Sequence, residues 1–335
     1  MALKIRDIAE DAGVSIATVS RVLNKSQPVS EELRERVMAS VERLGYRPNP
    51  VARSLRTRRT FVIGVIVPNI SNAYFTDIVR AIEDVALEAG YVVTVCSSDQ
   101  DLAKERRYVD VLRNRMVDGV LIAVADRTQS QVSPLTESKV PVVLIDRRLE
   151  ASSNGDSVTV DTRHGAYVAV QHLFQRGYSR IGIVGGPSAV STALDKIEGY
   201  KDALREHSVP LDEGLVFEGD YTEASGADIA RRIFQMDNPP QAVLIANNLM
   251  TLGFFKVVKE YGLRVPHDIA FVSFDDSTWA SLADPPVTLV DQPTYELGKT
   301  ATEILLDRMD SEASDVHAEA RHLVLRPRLI VRGSC

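Results

Sequence analysis

The chain has 335 residues, more than one typical core accommodates and enough for a small module beside a large one. Hydrophobic residues make up 44% and charged residues 25%, ordinary for a globular protein; no apolar run nears the ~20 residues of a membrane helix, and the mixed charges of residues 1–11 exclude a secretory signal. The net charge of −7 is uneven: up to Arg59 twelve basic residues stand against seven acidic ones, a surplus of five, which leaves −12 for the remainder and describes a phosphate-binding head on an acidic body.

Three helical patterns precede residue 60. Ile5, Ile8, Ala9 and Ala12 share one face of the first, and Gly13 supplies the turn after it. The second starts at Ser15, a good N-cap, and buries Val19, Val22 and Leu23. Helix, glycine turn and helix at this spacing predict a helix-turn-helix. The third opens at Ser30, with Glu31 and Glu32 suiting its dipole, continues through Leu33, Val37, Val41 and Leu44, and stops at Gly45. In such a unit the second helix enters the major groove of double-stranded DNA. Its outward residues are Ile16, Ala17, Ser20 and Arg21. Arg21 suits a guanine edge, Ile16 and Ala17 suit a thymine methyl, and Thr18 suits a phosphate.

Asn49-Pro50 then reads as an N-cap followed by proline at the first helical position. Residues 51–56 make only about two turns, marginal alone in water, with Val51, Ala52 and Leu55 on one side. Arg56, Arg58 and Arg59 suit phosphates. From residue 61 the pattern alternates apolar strands with amphipathic helices, as buried parallel sheets require. Strands are predicted at 61–67, 91–97, 119–123, 142–145, 157–160, 181–184, 215–218, 242–245 and 269–274. Helices are predicted at 73–89, 104–114, 162–176, 196–207, 223–235, 249–261 and 295–309. The segment 146–161 reads as a crossing between two lobes, 290–295 as a second crossing, and a third is expected after the helix at 295. Strand ends carry the run from Pro68 to Phe75, Asp99, Asp146, Asn247, Asp275 and Asp276, the amides, carboxylates and rings a cleft for a polyhydroxylated ligand would use. Asn72, Asp99 and Asp276 suit a cap or turn role equally well.

The runs IRDIAEDAGVSIATVSRVLN over 5–24, LGYRPNPVARSL over 44–55 and RLIVRG over 328–333 resemble the lactose-repressor (LacI/GalR) family of transcriptional regulators, and the similarity spans essentially the whole chain. The resemblance implies an all-α helix-turn-helix head over 1–48 and a hinge over 49–60. It implies an α/β two-lobed, periplasmic-binding-protein-like body with parallel sheets over 61–335. The N-lobe would hold about 61–160 plus 293–320, the C-lobe about 161–290 plus 323–335. DNA contact is implied for Ser15, Ile16, Ala17, Thr18, Ser20, Arg21, Asn24, Arg53 and Leu55. The hinge would fold against its dimer mate in the minor groove with Leu55 wedged into a base step and Arg53 near the groove. Effector contact is implied for Tyr74, Phe75, Asp146, Lys196, Tyr221, Asn247, Asp275 and Gln292. The family usually has arginine at position 196 and aspartate at 248, where this chain has Lys196 and Asn248. Lysine keeps the charge and loses the planar fork, so no particular sugar or nucleobase carries over.

The expected function is a sequence-specific DNA-binding regulator, a repressor, whose affinity for a palindromic operator is set allosterically by a small polar effector. A homodimer is expected, because a two-helix reader with a short wedge needs a partner on a palindrome, and a dimer rather than a tail-assembled tetramer, since no leucine heptad follows Arg332; a protein corepressor stays open as a further partner. A transported-solute receptor would share the body, but the head and the lack of an export signal point away from it. No enzyme is expected. The six histidines show no metal spacing and no partnered nucleophile, Gly185-Gly186-Pro187 lacks the Gly-Lys-Ser/Thr of a phosphate loop, and nothing calls for a cofactor. Two cysteines, Cys96 and Cys335, make no disulfide framework, as expected of a reducing cytoplasm.

Overall fold

The structure, a computed structural model, describes residues 3–24, 28–46, 59–114, 117–150, 155–310 and 319–335. The chain divides into two units between Thr60 and Phe61. The expected hinge helix, including Arg53 and Leu55, lies outside the described residues.

In the first unit, α1 (Ile5–Ala12), α2 (Ile16–Asn24) and α3 (Glu31–Leu44) meet over a core of Ile8, Ala9, Ala12, Val19, Val22 and Val37. Gly13 takes φ +63°, where a Cβ would be strained, so the chain can turn sharply between α1 and α2. Arg36 reaches from α3 to donate to the Ala12 carbonyl at 2.8 Å and fixes that turn. Arg43 of α3 pairs with Asp11 of α1.

The second unit holds two six-stranded sheets. The first lobe is built from β1 (Val62–Val67), α4 (Ala73–Glu88), β2 (Val92–Ser97), α5 (Leu102–Asn114), β3 (Gly119–Ile122), α6 (Ser133–Glu137), β4 (Val142–Ile145) and β5 (Asp156–Val160). The second contains α7 (Thr162–Gln175), β6 (Ile181–Gly185), α8 (Ser191–Glu206), β7 (Val216–Glu218), α9 (Glu223–Phe234), β8 (Ala242–Ile245), α10 (Asn248–Glu260), β9 (Ala270–Phe274), α11 (Thr278–Leu282) and β10 (Leu289–Asp291). The chain then returns to the first lobe for α12 (Thr294–Asp310) and β11 (His322–Leu325), and ends in the second with β12 (Arg328–Ile330). The sheet orders are β11-β5-β4-β3-β1-β2 and β12-β10-β9-β8-β6-β7. Every pairing is parallel except β10 with β12.

Each lobe repeats one solution: a continuous apolar strand flanked by helices that bury one stripe. Ile78 and Ile82 of α4 pack with Leu297, Ala301 and Leu305 of α12 against Val65, Leu121 and Val143. In the second lobe Phe254, Val257 and Val258 of α10 meet Ile229 and Ile233 of α9 over Val243 and Phe271. Gly253 lets those two helices touch: a Cβ there would lie 1.9 Å from the Glu223 carbonyl oxygen.

Several expectations are corrected. The segment 146–161 is not one crossing, because β5 within it joins the first sheet between β4 and β11; the chain leaves the lobe only after Val160. Residues 290 and 291, expected in the second crossing, instead belong to β10, which pairs with β9 and β12. The lobe boundary after 320 also moves. His322–Leu325 pairs with β5, so residues 323–325 belong to the first lobe and the last crossing is at 326–327. Helix α8 starts at Ser191, five residues before the expected 196, without a side-chain cap to signal it. Leu215 ends a 3₁₀ turn rather than starting a strand.

Candidate functional site

Open parallel sheets leave a crevice outside the carboxyl ends of their strands. In the second unit a cavity of about 200 Å³ lies there, lined from both lobes. The first lobe contributes Pro68 and Asn69 after β1, Tyr74 and Phe75 from the first turn of α4, Asp99 and Gln100 after β2, and Asp146 and Arg147 after β4. Thr192 and Lys196 of α8 come from the second lobe, with Tyr221 and Thr222 after β7, Asn247 after β8, Asp275 after β9 and Gln292 after β10. All eight residues expected to contact an effector therefore line one cavity.

Local chain geometry aims them. Asp146, Tyr221 and Asp275 follow strands with φ of 63°, 67° and 69°, left-handed conformations uncommon for residues with a Cβ. Asn72 caps α4 by accepting from the Tyr74 amide at 3.1 Å, and so places the next two rings. Asn247 caps α10 by accepting from Met250 N at 2.9 Å, and its amide donates to the Tyr221 carbonyl at 3.1 Å. The Tyr221 ring rests on Gly186, where an added Cβ would stand 2.0 Å from its Cζ.

The cavity's charges are satisfied only in part. The Tyr74 hydroxyl donates to Asp146 Oδ1 at 2.7 Å; burial, and then the Asp146 carboxylate, hold that phenol well above its usual range. Arg147 is buried, donates to the Val124 carbonyl at 3.0 Å and to Gln100 Oε1 at 3.3 Å, and stacks on Phe75. Its Nε makes no hydrogen bond but stands 3.6 Å from Asp146 Oδ2 in a buried ion pair. Buried Lys196 donates to the Ala246 carbonyl at 2.8 Å and sits 4.3 Å from the Phe274 ring centre. Burial lowers its pKa, against the attraction of Asp275 and Asp146. Asp275 accepts from Gln292 at 2.5 Å; burial raises its carboxyl to about 6 although Lys196 and Gln292 oppose the shift. Burial also raises the Tyr221 phenol, against the Arg147 charge and the Thr192 hydroxyl nearby, and Gln292 Oε1 is left without a hydrogen-bond partner. A cleft with rings on its walls and unmatched polar atoms inside fits a small polar ligand.

Of the residues with two readings, Asn72 and Asp99 both line the cavity. Asn72 also caps α4, and Asp99 pairs with Lys104. Asp276 turns away to Arg332, with oxygen and nitrogen 2.8 Å apart. Arg147, Thr192 and Gln100 also line the cavity and are not among the expected effector residues. Arg147 directly follows Asp146, so the strand-end rule extended by one residue finds it. Thr192 and Gln100 carry no comparable signal.

On the first unit, Ser15 Oγ accepts from the Thr18 amide at 3.1 Å and caps α2; the two hydroxyls lie 2.9 Å apart. Ile16, Ala17 and Arg21 are exposed, with half of Ile16 in solvent, while Ser20 is half-buried. Arg21 forms no ion pair among the described residues, so its guanidinium is presented outward. Asn24 ends α2. Arg53 and Leu55 lie outside the described residues. No described helix is long and apolar enough to cross a membrane.

Residues 4–49 match the family of bacterial regulatory proteins named lacI, and 170–335 match the periplasmic binding protein-like domain. Catabolite control protein A of Priestia megaterium is 36% identical over 94% of this chain and 95% of its own. A solved complex of the transcriptional regulator CelR with cellobiose has TM-score 0.75 and 32% identity, covering 99% of this chain and 100% of that one. The lac repressor dimer bound to operator and the anti-inducer ONPF has TM-score 0.88 and 28% identity, covering 100% and 99%.

Proposed function

The chain belongs to the lacI family of bacterial regulatory proteins, DNA-binding transcriptional regulators with an effector-binding domain, and from that premise we propose which residues carry each task. Arg21 reads a guanine edge in the major groove, Ile16 and Ala17 make apolar base contacts, and Ser15, Thr18, Ser20 and Asn24 position the helix. Arg53 and Leu55 act in the minor groove, where Leu55 unstacks a base step. Two heads of a dimer read the two halves of a palindrome; the similar lac repressor was solved as a dimer bound to operator. The body is a non-catalytic sensor, and the chain acts as a repressor.

Its effector is a small polar molecule such as a sugar, sugar derivative or nucleobase, held by Tyr74, Phe75, Asp146, Lys196, Tyr221, Asn247, Asp275 and Gln292. The observation that carries this reading is the convergence of residues from many strand ends of two lobes on one cavity. Cellobiose in the CelR complex supports a sugar-like class. Binding shifts the population of closed lobes and, through the hinge, operator affinity, a coupling of about 1–3 kcal/mol in such systems. Titrating sugars, sugar acids and nucleobases into the protein–operator complex tests it. A compound of this panel should both bind and shift operator affinity; one that binds this cavity and leaves operator affinity unchanged counts against the reading.

A further inference from the structure

Beside the cavity two buried carboxamides meet across the lobes. Asn248 Nδ2, in the first turn of α10, donates to Asn72 Oδ1, the cap of α4, at 2.9 Å. Both residues are at most 5% exposed. Asn72 Oδ1 already accepts the Tyr74 amide, so the orientation of the Asn72 carboxamide is set by the helix it caps. Turning it over would present an N–H to another N–H and leave α4 uncapped. The residue at 248 must therefore bring a donor. Asparagine does; an ionised aspartate has none.

We infer that Asn72 and Asn248 form an oriented clasp that holds the two lobes together around the cavity, with the donor required on the second lobe and the acceptor on the first. The inference rests on the reading of this cavity as an effector site that opens and closes. The clasp is wired to that site on both sides. Asn72 places Tyr74 and Phe75, and Asn248 adjoins Asn247, which holds the Tyr221 carbonyl. Asn248 Oδ1 is buried without a partner, so the Nδ2 bond is the anchor of this side chain. Other bonds also join the lobes, among them Gln100 Nε2 to the Asp220 carbonyl at 3.1 Å, Arg127 N to the Ala189 carbonyl at 2.8 Å and the Arg148–Asp195 ion pair at 2.8 Å, but these lie at exposed or half-buried positions, whereas the Asn72–Asn248 bond is buried.

The clasp makes a directional demand that one isosteric exchange can test from both ends. Asn248→Asp deletes the donor. Asn72→Asp keeps an acceptor for both Asn248 and Tyr74 and remains a good cap. Hydrogen–deuterium exchange on the intact chain, without effector or DNA, reads the result at residues 72–78 and 247–253, with the β8–β9 core as the control for folding. Asn248→Asp should speed exchange in the cleft segments about three- to tenfold, the loss of one buried hydrogen bond, and Asn72→Asp should leave it unchanged or slower. Asn248→Ala, which removes the donor without adding charge near Asp275, should loosen the cleft as Asn248→Asp does. Equal exchange in both aspartate variants, loosening by Asn72→Asp alone, or wild-type exchange in Asn248→Ala overturns the clasp. Because no effector enters the measurement, such a failure is separate from a failure of the operator titration.

Discussion

The head displays its chemistry on one nine-residue helix, while the cleft gathers its own from residues spread between Pro68 and Gln292 and hides it from solvent. The contrast follows from what each must recognise. A duplex is large and rigid, so a convex helix with an outward guanidinium can read it without enclosing it. A small ligand offers little surface, and its few polar groups count only where water is excluded and unmatched donors are costly. Head variants should therefore act on DNA binding alone, and cleft variants on effector binding first and on DNA only through coupling.

The largest effect expected concerns the body's framework. Gly253→Val drives a side chain into the Glu223 carbonyl and should cost about 3 kcal/mol of body stability while the transition of the head stays in place, a result calorimetry can separate. Next, Arg21→Ala should weaken operator binding by about 2 kcal/mol, roughly thirtyfold, in an anisotropy titration at fixed salt, with effector affinity unchanged. A loss of effector binding in that variant would erase the division between the two regions. Tyr74→Phe removes the donor to Asp146 and should reduce effector affinity about tenfold, measured by calorimetry with the compound that shifts the operator complex, leaving effector-free operator affinity intact.

The smallest effect is a pH dependence. Asp275 titrates near 6 in the folded chain against 3.8 in its ordinary state. Between those values the folded chain keeps a proton that the unfolded chain releases, so this group's contribution to stability is present in acid and lost as pH rises through about 6. An ionised Asp275 is the better acceptor for ligand hydroxyls, with Lys196, Gln292 and Asp146 around it. Effector affinity should then fall about twofold from pH 7 to pH 6 and further below, and Asp275→Asn should flatten that profile.

Legibility differed between the two regions for the same physical reason. The head is written locally: Ile5–Ala12 was located to the residue because Gly13 must turn, and Ser15 was recognisable as a cap. In the body, long apolar strands such as Val62–Val67 announce themselves, whereas β10 and β12, three residues each, are specified by the neighbours they pair with. Asp101 accepts from the amides of Ala103 and Lys104, a cap whose signal the expected start at 104 overlooked. The eight effector positions came from the family resemblance, and a strand-end rule reached only some of them. That Asn248 faces Asn72 across 176 positions of sequence is a product of tertiary packing, which no local pattern encodes.

The three crossings between the lobes bear on how the chain is made. A helix-turn-helix complete by Leu44 can fold as soon as it leaves the ribosome, whereas neither sheet of the body is finished until His322–Leu325 and Arg328–Ile330 have been added. During synthesis there is thus a long interval in which a reader of DNA exists without its sensor. A message cut short before residue 320 would leave β5 and β10 with bare edges, open to pairing with other chains. The interleaved order means that neither lobe can be completed much before the other.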